Sequence, residues 1–176
     1  MTPTPHDALF KEVFSKPENA AGTLRAVVPA VIGESLDWST LTRCPGSFVD
    51  PALQEWHTDL LFSARWRGGG DALLYLLYEH QSSPDEQMAF RLLRYMVRIW
   101  EHWWSEHPKA KLIPAVIPVA LYHGDLSWSV PLLFNALIDV PETVRSALGH
   151  HLVDFSHMVD DLSEIPDDRL RARACT

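Results

Sequence analysis

Apolar residues in the N-terminal segment 7–28 recur at the spacing of one helix face, with polar residues between them. Lys16 and Pro17 fall in the middle of this segment, and a proline interrupts or bends a helix because it lacks the backbone N–H. Pro29 and Gly33 follow the last apolar positions. The pattern therefore predicts an N-terminal helix that is broken near Lys16 and Pro17 and closed by Pro29 and Gly33.

Two strongly apolar runs, residues 56–66 and 72–80, lie on either side of a glycine-rich stretch, Gly68-Gly69-Gly70-Asp71. Runs rich in leucine and aromatic residues about a glycine turn are typical of a β-hairpin. The second run is apolar at consecutive positions, as expected of a strand that is covered on both faces. This pattern predicts a hairpin whose second strand is central in a sheet.

A helix is predicted directly after the hairpin. Ser83 can cap it, Pro84 suits the first helical position, and Glu86 can complete a capping box. The positions expected to face the core are Met88, Leu92, Met96, Ile99 and Trp103, flanked by Ala89, Leu93, Val97 and Trp100. Arg91, Arg94 and Arg98 fall together on another face of this helix.

Residues 112–122 form another apolar run and predict a buried strand. Pro114 and Pro118 indicate that only the part after Pro118 is regularly paired. A strand, a helix and a further strand imply a right-handed parallel crossover. Beyond Gly124 the periodicity weakens, residues 132–138 favour a helix, and the last forty or so residues favour short helices and turns.

Composition limits the classes of protein that this chain can represent. Its 176 residues are 47% hydrophobic and 22% charged, which indicates one globular domain over residues 1–176. No apolar run approaches the roughly 20 residues that cross a bilayer, and the N-terminus lacks the layout of a secretory signal, so a cytoplasmic protein without membrane contact is expected. The formal net charge of −8 means that any contact with nucleic acid must be local.

The end of the second hairpin strand carries polar residues that suggest chemistry. Glu79 and Gln81 share one face of the strand, and His80 lies on the other. Asp59 and Glu79 are equally far from Gly69 along the chain, so a symmetric hairpin places the two carboxylates directly opposite each other, with Cβ atoms roughly 5 Å apart. Such carboxylates repel, and a divalent ion such as Mg²⁺ would relieve the repulsion. The alternative is that both are solvated edge residues.

These residues resemble the PD-(D/E)xK nuclease superfamily and, more narrowly, the Rpn family of recombination-promoting nucleases, also labelled putative transposases. The resemblance runs from residue 6 to about 124. The matching stretches are His6-Asp7, Phe10-Lys11, Ser47-Phe48-Val49-Asp50, Asp59-Leu60-Leu61, residues 78–85 (YEHQSSPD), residues 90–96 (FRLLRYM) and residues 118–124 (PVALYHG). Residues 125–176 would then form a C-terminal helical or irregular extension. Members of the family usually continue past the point where this chain stops.

The resemblance implies an α/β fold with a restriction-endonuclease-like core, in which a central mixed β-sheet is built from helix, three strands, helix and strand and is flanked by helices. It implies that Asp59, Glu79 and the backbone carbonyl of His80 hold Mg²⁺ or Mn²⁺. Gln81 completes the catalytic set at a position where the superfamily usually has lysine, which leaves open what orients the attacking water. Further residues that the resemblance brings forward are Asp7 and Glu12 as an additional acid, and Lys11, Arg91, Arg94 and His123 as contacts to DNA phosphates. Each also has a simpler reading: an acid at a helix terminus, a solvated charge or a turn residue.

The function expected from this resemblance is a metal-dependent DNA endonuclease associated with recombination or mobile DNA, with DNA as its partner and no organic cofactor. The wide apolar face of the second helix, with Trp100, Trp103 and Trp104, is also compatible with a homodimer. Two alternatives remain open. One is a catalytically weak module that binds DNA or another protein on the same fold. The other is a small-molecule hydrolase that uses His123 with Asp125.

Overall fold

A computed structural model describes residues 12–45, 58–79 and 83–164. Among these residues, the helices with complete bounds are α1 (Pro17–Val27), α2 (Ala30–Ser35), α3 (Met88–Glu106) and α4 (Glu142–Leu148). Five strands are β1 (Leu36–Arg43), β2 (Thr58–Trp66), β3 (Asp71–Glu79), β4 (Ala115–Tyr122) and β5 (Met158–Asp161). Short 3₁₀ turns lie at Phe134–Leu137, Gly149–His151 and Leu162–Glu164. No helix within the described residues is long and apolar enough to cross a membrane.

The strands form one mixed sheet in the order β1-β2-β3-β4-β5. β1, β2 and β3 pair in antiparallel fashion, whereas β3 with β4 and β4 with β5 are parallel. The predicted α/β class with a mixed sheet is confirmed, and the arrangement is consistent with a restriction-endonuclease-like core. The order of helix, strands, helix and strand is extended by β5, which the sequence pattern did not predict.

β3 lies at the centre of the sheet and is buried on both faces, as predicted. Leu74 and Leu76 belong to the core on the side of α1, whereas Tyr75 and Leu77 belong to the core on the side of α3. All four side chains are fully buried. The alternation follows from the two-residue period of a strand, which sends successive side chains to opposite faces. The sheet therefore separates two apolar layers, and residues 72–77 of β3 alternate between them.

The N-terminal helical segment is interrupted where the sequence predicted. Residues 12–14 are helical, and α1 then begins at Pro17, with Lys16 in the extended N-cap conformation. α1 ends at Val27, and the N–H of the C-cap residue Val28 donates to the Leu24 carbonyl. Gly33, however, does not close this helix, because it lies inside the separate short helix α2.

The start of α3 differs from the prediction. The helix begins at Met88 rather than near Pro84, and its N-cap, Gln87, makes no side-chain cap. Asp85 instead shapes the entry: its Oδ1 accepts the Gln87 N–H at 2.8 Å, and its carbonyl accepts the Met88 N–H at 3.0 Å. The capping-box prediction from Ser83 and Glu86 is wrong because an aspartate satisfies the first helical donors through a turn. The predicted core face of α3 is confirmed at Met88, Leu92, Met96 and Ile99, which are buried.

Pro118 lies within β4 and not before it. β4 pairs with β3 from Ala115 onward, so the prediction that regular pairing starts after Pro118 is wrong. β5 pairs with β4 only from Val119. At Pro118 the strand therefore has a neighbour on one side alone, and a residue without an N–H is tolerated where one side of a strand needs no partner.

His157, directly before β5, is a buried titratable residue. It is 2% exposed, and neither ring nitrogen has a hydrogen-bond partner among the described residues. Its ring meets the edge of Trp128, with 5.8 Å between the ring centroids. Burial lowers the pKa of His157 to about 4, and the nearby Leu132 carbonyl offsets this only in part.

This burial predicts an acid-sensitive contribution to stability. Because the pKa of the folded state lies below that of the unfolded state, the unfolded chain binds more protons between these values, and stability falls as the pH drops. We expect the parent to lose about 3 kcal/mol more than His157→Leu between pH 6.5 and pH 4 in urea unfolding. His151→Leu, at an exposed site, serves as the control. An equal pH dependence in the parent and His157→Leu would contradict the assignment.

Candidate active site

The register of the β2–β3 hairpin differs from the predicted symmetric closure. Asp59 pairs with Leu77, and Arg65 pairs with Asp71, so the hairpin folds about Gly68 rather than Gly69. The turn is closed by the Trp66 N–H, which donates to the Gly70 carbonyl at 3.0 Å. Gly69 and Gly70 have φ of 95° and 90°, a region that glycine adopts without strain. Moving the centre of the turn by one residue shifts every cross-strand partner by two.

The prediction that Asp59 and Glu79 stand directly opposite each other is therefore wrong. Position 79 lies two residues beyond the partner of Asp59, at the end of β3. By strand alternation it belongs to the same face of the sheet as Asp59 and Leu77. Diagonal neighbours of this kind lie roughly 7 Å apart, against about 5 Å for directly opposed residues. The two positions share one face of the sheet and lie at the same end of it, where β2 begins and β3 ends. We call this end of the sheet the edge.

Asp59 is held by a tyrosine from the neighbouring strand. The Tyr75 hydroxyl donates to Asp59 Oδ2 at 2.6 Å, and Asp59 is half-buried near the start of β2. Burial raises the pKa of Tyr75 well above its usual value, and the negative charge of Asp59 raises it further. Tyr75 is consequently a neutral, permanent donor to this carboxylate. A hydrogen bond to a charged acceptor is among the stronger kinds, so the carboxylate is fixed in orientation.

Tyr75 belongs to the apolar layer between the sheet and α3, so α3 lies over this side of the pair. Tyr75 packs on Tyr95, with ring centroids 5.3 Å apart. Arg91 lies close enough for its positive charge to oppose the rise in the pKa of Tyr75. Its Nη1 contacts Asp85 Oδ2 at 2.6 Å, and only 14% of its side chain is exposed. Arg91 thus pairs with Asp85, which precedes α3, and places a positive charge near Tyr75.

The other sequence-predicted residues occupy varied positions. Arg94 on α3 and His123, directly after β4, are exposed, as is Glu12 near the N-terminal end of the described chain. Asp7, Lys11, His80 and Gln81 lie outside the described residues, and only the backbone of Glu79 is described. Within the part of the chain that the structure describes, no group of three or more His, Cys, Asp or Glu side chains could hold a metal ion.

Two features of this edge were not predicted from the sequence. Tyr75 is the first, although its position four residues before Glu79 on an alternating strand could have identified it as a neighbour. The second is Asp161, which pairs with Tyr122 next to the end of β3. Its carboxylate accepts the Trp128 N–H at 2.6 Å and the Ser163 hydroxyl at 2.6 Å. Asp161 therefore ties the loop that contains Trp128, and the turn that contains Ser163, to the end of β5.

The donor chemistry of this edge fits a hard divalent ion. Asp59 supplies a carboxylate whose orientation is fixed, and the strand register brings position 79, a glutamate, to the same face. Mg²⁺ is usually bound by one or two carboxylates together with water and substrate phosphates. Asp59 is a carboxylate of the kind that such a ligand set contains, and a metal site at this edge stays a prediction.

Comparison with known proteins identifies relatives along nearly the whole chain. The family model described as "Putative transposase, YhgA-like" matches residues 4–175. The recombination-promoting nuclease RpnD of Escherichia coli is 37% identical over 96% of this chain and 63% of its own length. RpnC of Escherichia coli is 33% identical over 90% of this chain and 53% of its own length. An inactive recombination-promoting nuclease-like protein, RpnE, is 32% identical over 96% of this chain and 54% of its own length.

The chain spans between about half and two thirds of the length of these relatives. No solved structure matches it. The resemblance to the Rpn family that the sequence suggested is confirmed by the family model and by these identities. This chain belongs to the family of YhgA-like putative transposases, together with the Rpn recombination-promoting nucleases.

Proposed function

We propose that this chain is the nuclease domain of a metal-dependent DNA endonuclease that acts in recombination or on mobile DNA. The names of RpnD and RpnC as recombination-promoting nucleases support the reaction class. The structural observation that carries the proposal is the half-buried Asp59, which Tyr75 fixes on the face and edge that position 79 shares. A carboxylate pair held on rigid strands provides the preorganised geometry that hydrolysis of a phosphodiester requires.

In this proposal Asp59 and Glu79 hold Mg²⁺ or Mn²⁺, with the backbone carbonyl of His80 as a further ligand. When bound, such an ion polarises a phosphate oxygen, lowers the pKa of a bound water and stabilises the leaving oxygen. Tyr75 would hold the Asp59 carboxylate in one orientation through its hydrogen bond to Oδ2. Gln81 is assigned to orient the attacking water, since an amide can both donate and accept hydrogen bonds.

DNA contacts in this proposal come from cationic side chains on α3, after β4 and in the N-terminal segment. Arg94, on the exposed side of α3, and His123, after β4, are accessible to a phosphate backbone. Lys11 adds a contact from the N-terminal segment, where Asp7 or Glu12 adds an acid. Arg91 is mostly covered and bonded to Asp85, so in this proposal it adds positive potential near Tyr75. Local contacts of this kind would be compatible with the net charge of −8.

Plasmid cleavage is the direct test of the proposed function. Purified protein is incubated with supercoiled plasmid in Mg²⁺, in Mn²⁺ and in EDTA. Nicking or linearisation only in the presence of metal is the expected result. A folded protein that cuts no DNA under any of these conditions would contradict the nuclease assignment.

The second candidate is a catalytically weak module that binds DNA or protein. It is favoured by the 32% identity to RpnE, which is named as inactive. This candidate would be supported if the protein binds DNA and Mn²⁺ but does not cleave DNA. A small-molecule hydrolase built on His123 and Asp125 gains no support, because both residues are exposed.

The hydrogen bond from Tyr75 provides a specific prediction. Tyr75→Phe keeps the ring but removes the donor to Asp59, so we expect the affinity for Mn²⁺ to fall by roughly tenfold. Isothermal titration with Mn²⁺ measures this without any need for catalysis. Thr42→Val is the matched control, because it also removes a hydroxyl that bonds across strands, to Ser63 at 2.9 Å. Equal Mn²⁺ affinity in the parent and Tyr75→Phe would exclude a positioning role for Tyr75.

A further inference from the structure

The outward side of α3 carries large apolar side chains in a regular line. Phe90, Val97 and Trp104 are 48%, 41% and 46% exposed. They are seven residues apart, so they stand one above another on a single helix face, which we call the outer stripe. The opposite face of α3 is buried against the sheet through Met88, Leu92 and Ile99. α3 therefore carries apolar residues on two sides. One side is buried against the sheet, and the other is partly exposed, with Trp104 Nε1 donating to the Ala110 carbonyl at 3.2 Å.

Charged residues beside the outer stripe have opposite signs at its two ends. Arg94 lies towards the N-terminal end and Glu101 towards the C-terminal end, on either side of Val97, and both are exposed. Phe90 and Trp104 are equally distant from Val97 along the helix. Reversing the direction of the helix about Val97 therefore exchanges one aromatic residue with the other and the cation with the anion. A surface with this property is complementary to a copy of itself.

We propose that the outer stripe binds a second copy of this chain, with the two α3 helices antiparallel about a two-fold axis near Val97. In such an isologous contact each pairing occurs twice. Phe90 packs on Trp104 of the partner subunit, and Arg94 faces Glu101 of the partner subunit. Val97 meets its own copy at the centre, where a small side chain allows the helices to approach within the usual 8–10 Å.

An ion pair within α3, between Arg98 and Glu101, is compatible with the proposed contact between subunits. Arg98 Nη1 contacts Glu101 Oε2 at 2.8 Å, with the two side chains 53% and 58% exposed. A pair this exposed contributes little to stability. A carboxylate has two oxygens and several acceptor sites, so Glu101 can accept a second guanidinium from the partner subunit. The inference concerns association alone and does not depend on the proposed nuclease reaction.

Sedimentation equilibrium of the whole chain tests the proposal. The parent, of 20.0 kDa, is expected to show a concentration-dependent mass that rises to that of a dimer. Val97→Glu places a charge at the centre of the outer stripe, and its dimer dissociation constant is expected to rise by at least about tenfold. Val31→Glu is the matched control, because Val31 is 76% exposed on α2, on the other side of the sheet. A parent that stays monomeric at every concentration would overturn the proposal and assign the stripe to another occupant.

A charge exchange gives a second test that does not depend on a disruptive substitution. Arg94→Glu and Glu101→Arg each place like charges opposite one another and should weaken the dimer. The double variant R94E/E101R restores opposite charges across the axis, and its new glutamate at position 94 can pair with Arg98 one helical turn away. Recovery of the parental dissociation constant is expected. A dimer that is indifferent to all three variants would place the interface elsewhere and refute the antiparallel pairing.

Discussion

Asp59→Asn is expected to reduce metal-dependent DNA cleavage by roughly 10³-fold or more, because it removes the charge that is proposed to hold the ion while preserving the shape of the side chain. The asparagine amide oxygen can still accept the hydrogen bond that the Tyr75 hydroxyl gives to Asp59 Oδ2 at 2.6 Å. The fold should therefore persist, and the loss should be one of chemistry. Initial rates of plasmid nicking at saturating Mg²⁺, together with Mn²⁺ titration, measure the effect.

Two further variants are compared with Asp59→Asn, one expected to lose cleavage and one expected to keep it. Glu79→Gln should behave like Asp59→Asn, because position 79 provides the second carboxylate of the proposed pair. Asp125→Asn is the matched control, since Asp125 is exposed beyond the end of β4 and belongs to the rival hydrolase pair with His123. Unchanged cleavage by Asp59→Asn, or a loss seen only with Asp125→Asn, would remove Asp59 from the active site.

Leu76→Ala is expected to lower the free energy of unfolding by about 3 kcal/mol, because it opens a cavity in the best-covered part of the sheet. Leu76 is fully buried in the middle of β3 and pairs with Leu60 on β2 and Val119 on β4. Neighbours on both sides limit how far the surrounding backbone can relax into the space. Denaturant unfolding monitored by tryptophan fluorescence measures the change.

The control for this substitution makes the same chemical change at an exposed site. Leu112 is 82% exposed before β4, so Leu112→Ala should alter the free energy of unfolding by no more than about 0.5 kcal/mol. Similar shifts in the two variants would mean that β3 is not the packed centre of the sheet. A destabilised Leu76→Ala protein that keeps its Mn²⁺ affinity when folded would separate stability from the chemistry of Asp59.

Much of the fold could be predicted from the sequence because the signals are local. The continuous apolar run of β3 indicates a strand covered on both faces, and residues 74–77 are buried on both sides. The apolar face of α3 repeats at helical spacing, and the predicted positions Met88, Leu92 and Ile99 form its buried side. In each case the element forms because it buries an apolar face, and the spacing of that face can be read from residues close together in the chain.

Elements defined by distant partners were missed or misplaced. β5 has only four residues, and the strand is formed by pairing with β4. On β1, residues 38–41 stand opposite Ala64 alone, and the Arg65 N–H donates to Thr40 Oγ1 at 2.9 Å in place of a regular ladder bond. No local periodicity encodes such pairings. The hairpin register failed for a similar reason, since a one-residue change in the turn displaces each partner by two.

By itself the sequence determined the family, the central apolar strands and the presence of acids at the ends of β2 and β3, because each depends on residue identity and local spacing. The tertiary structure alone decided that Asp59 lies diagonal to position 79, that Tyr75 donates to Asp59, and that Arg91 pairs with Asp85. It also decided which apolar face of α3 is covered and which carries the outer stripe. These features depend on how strands and helices meet in space, where packing and turn geometry select one arrangement among several that the same pattern allows.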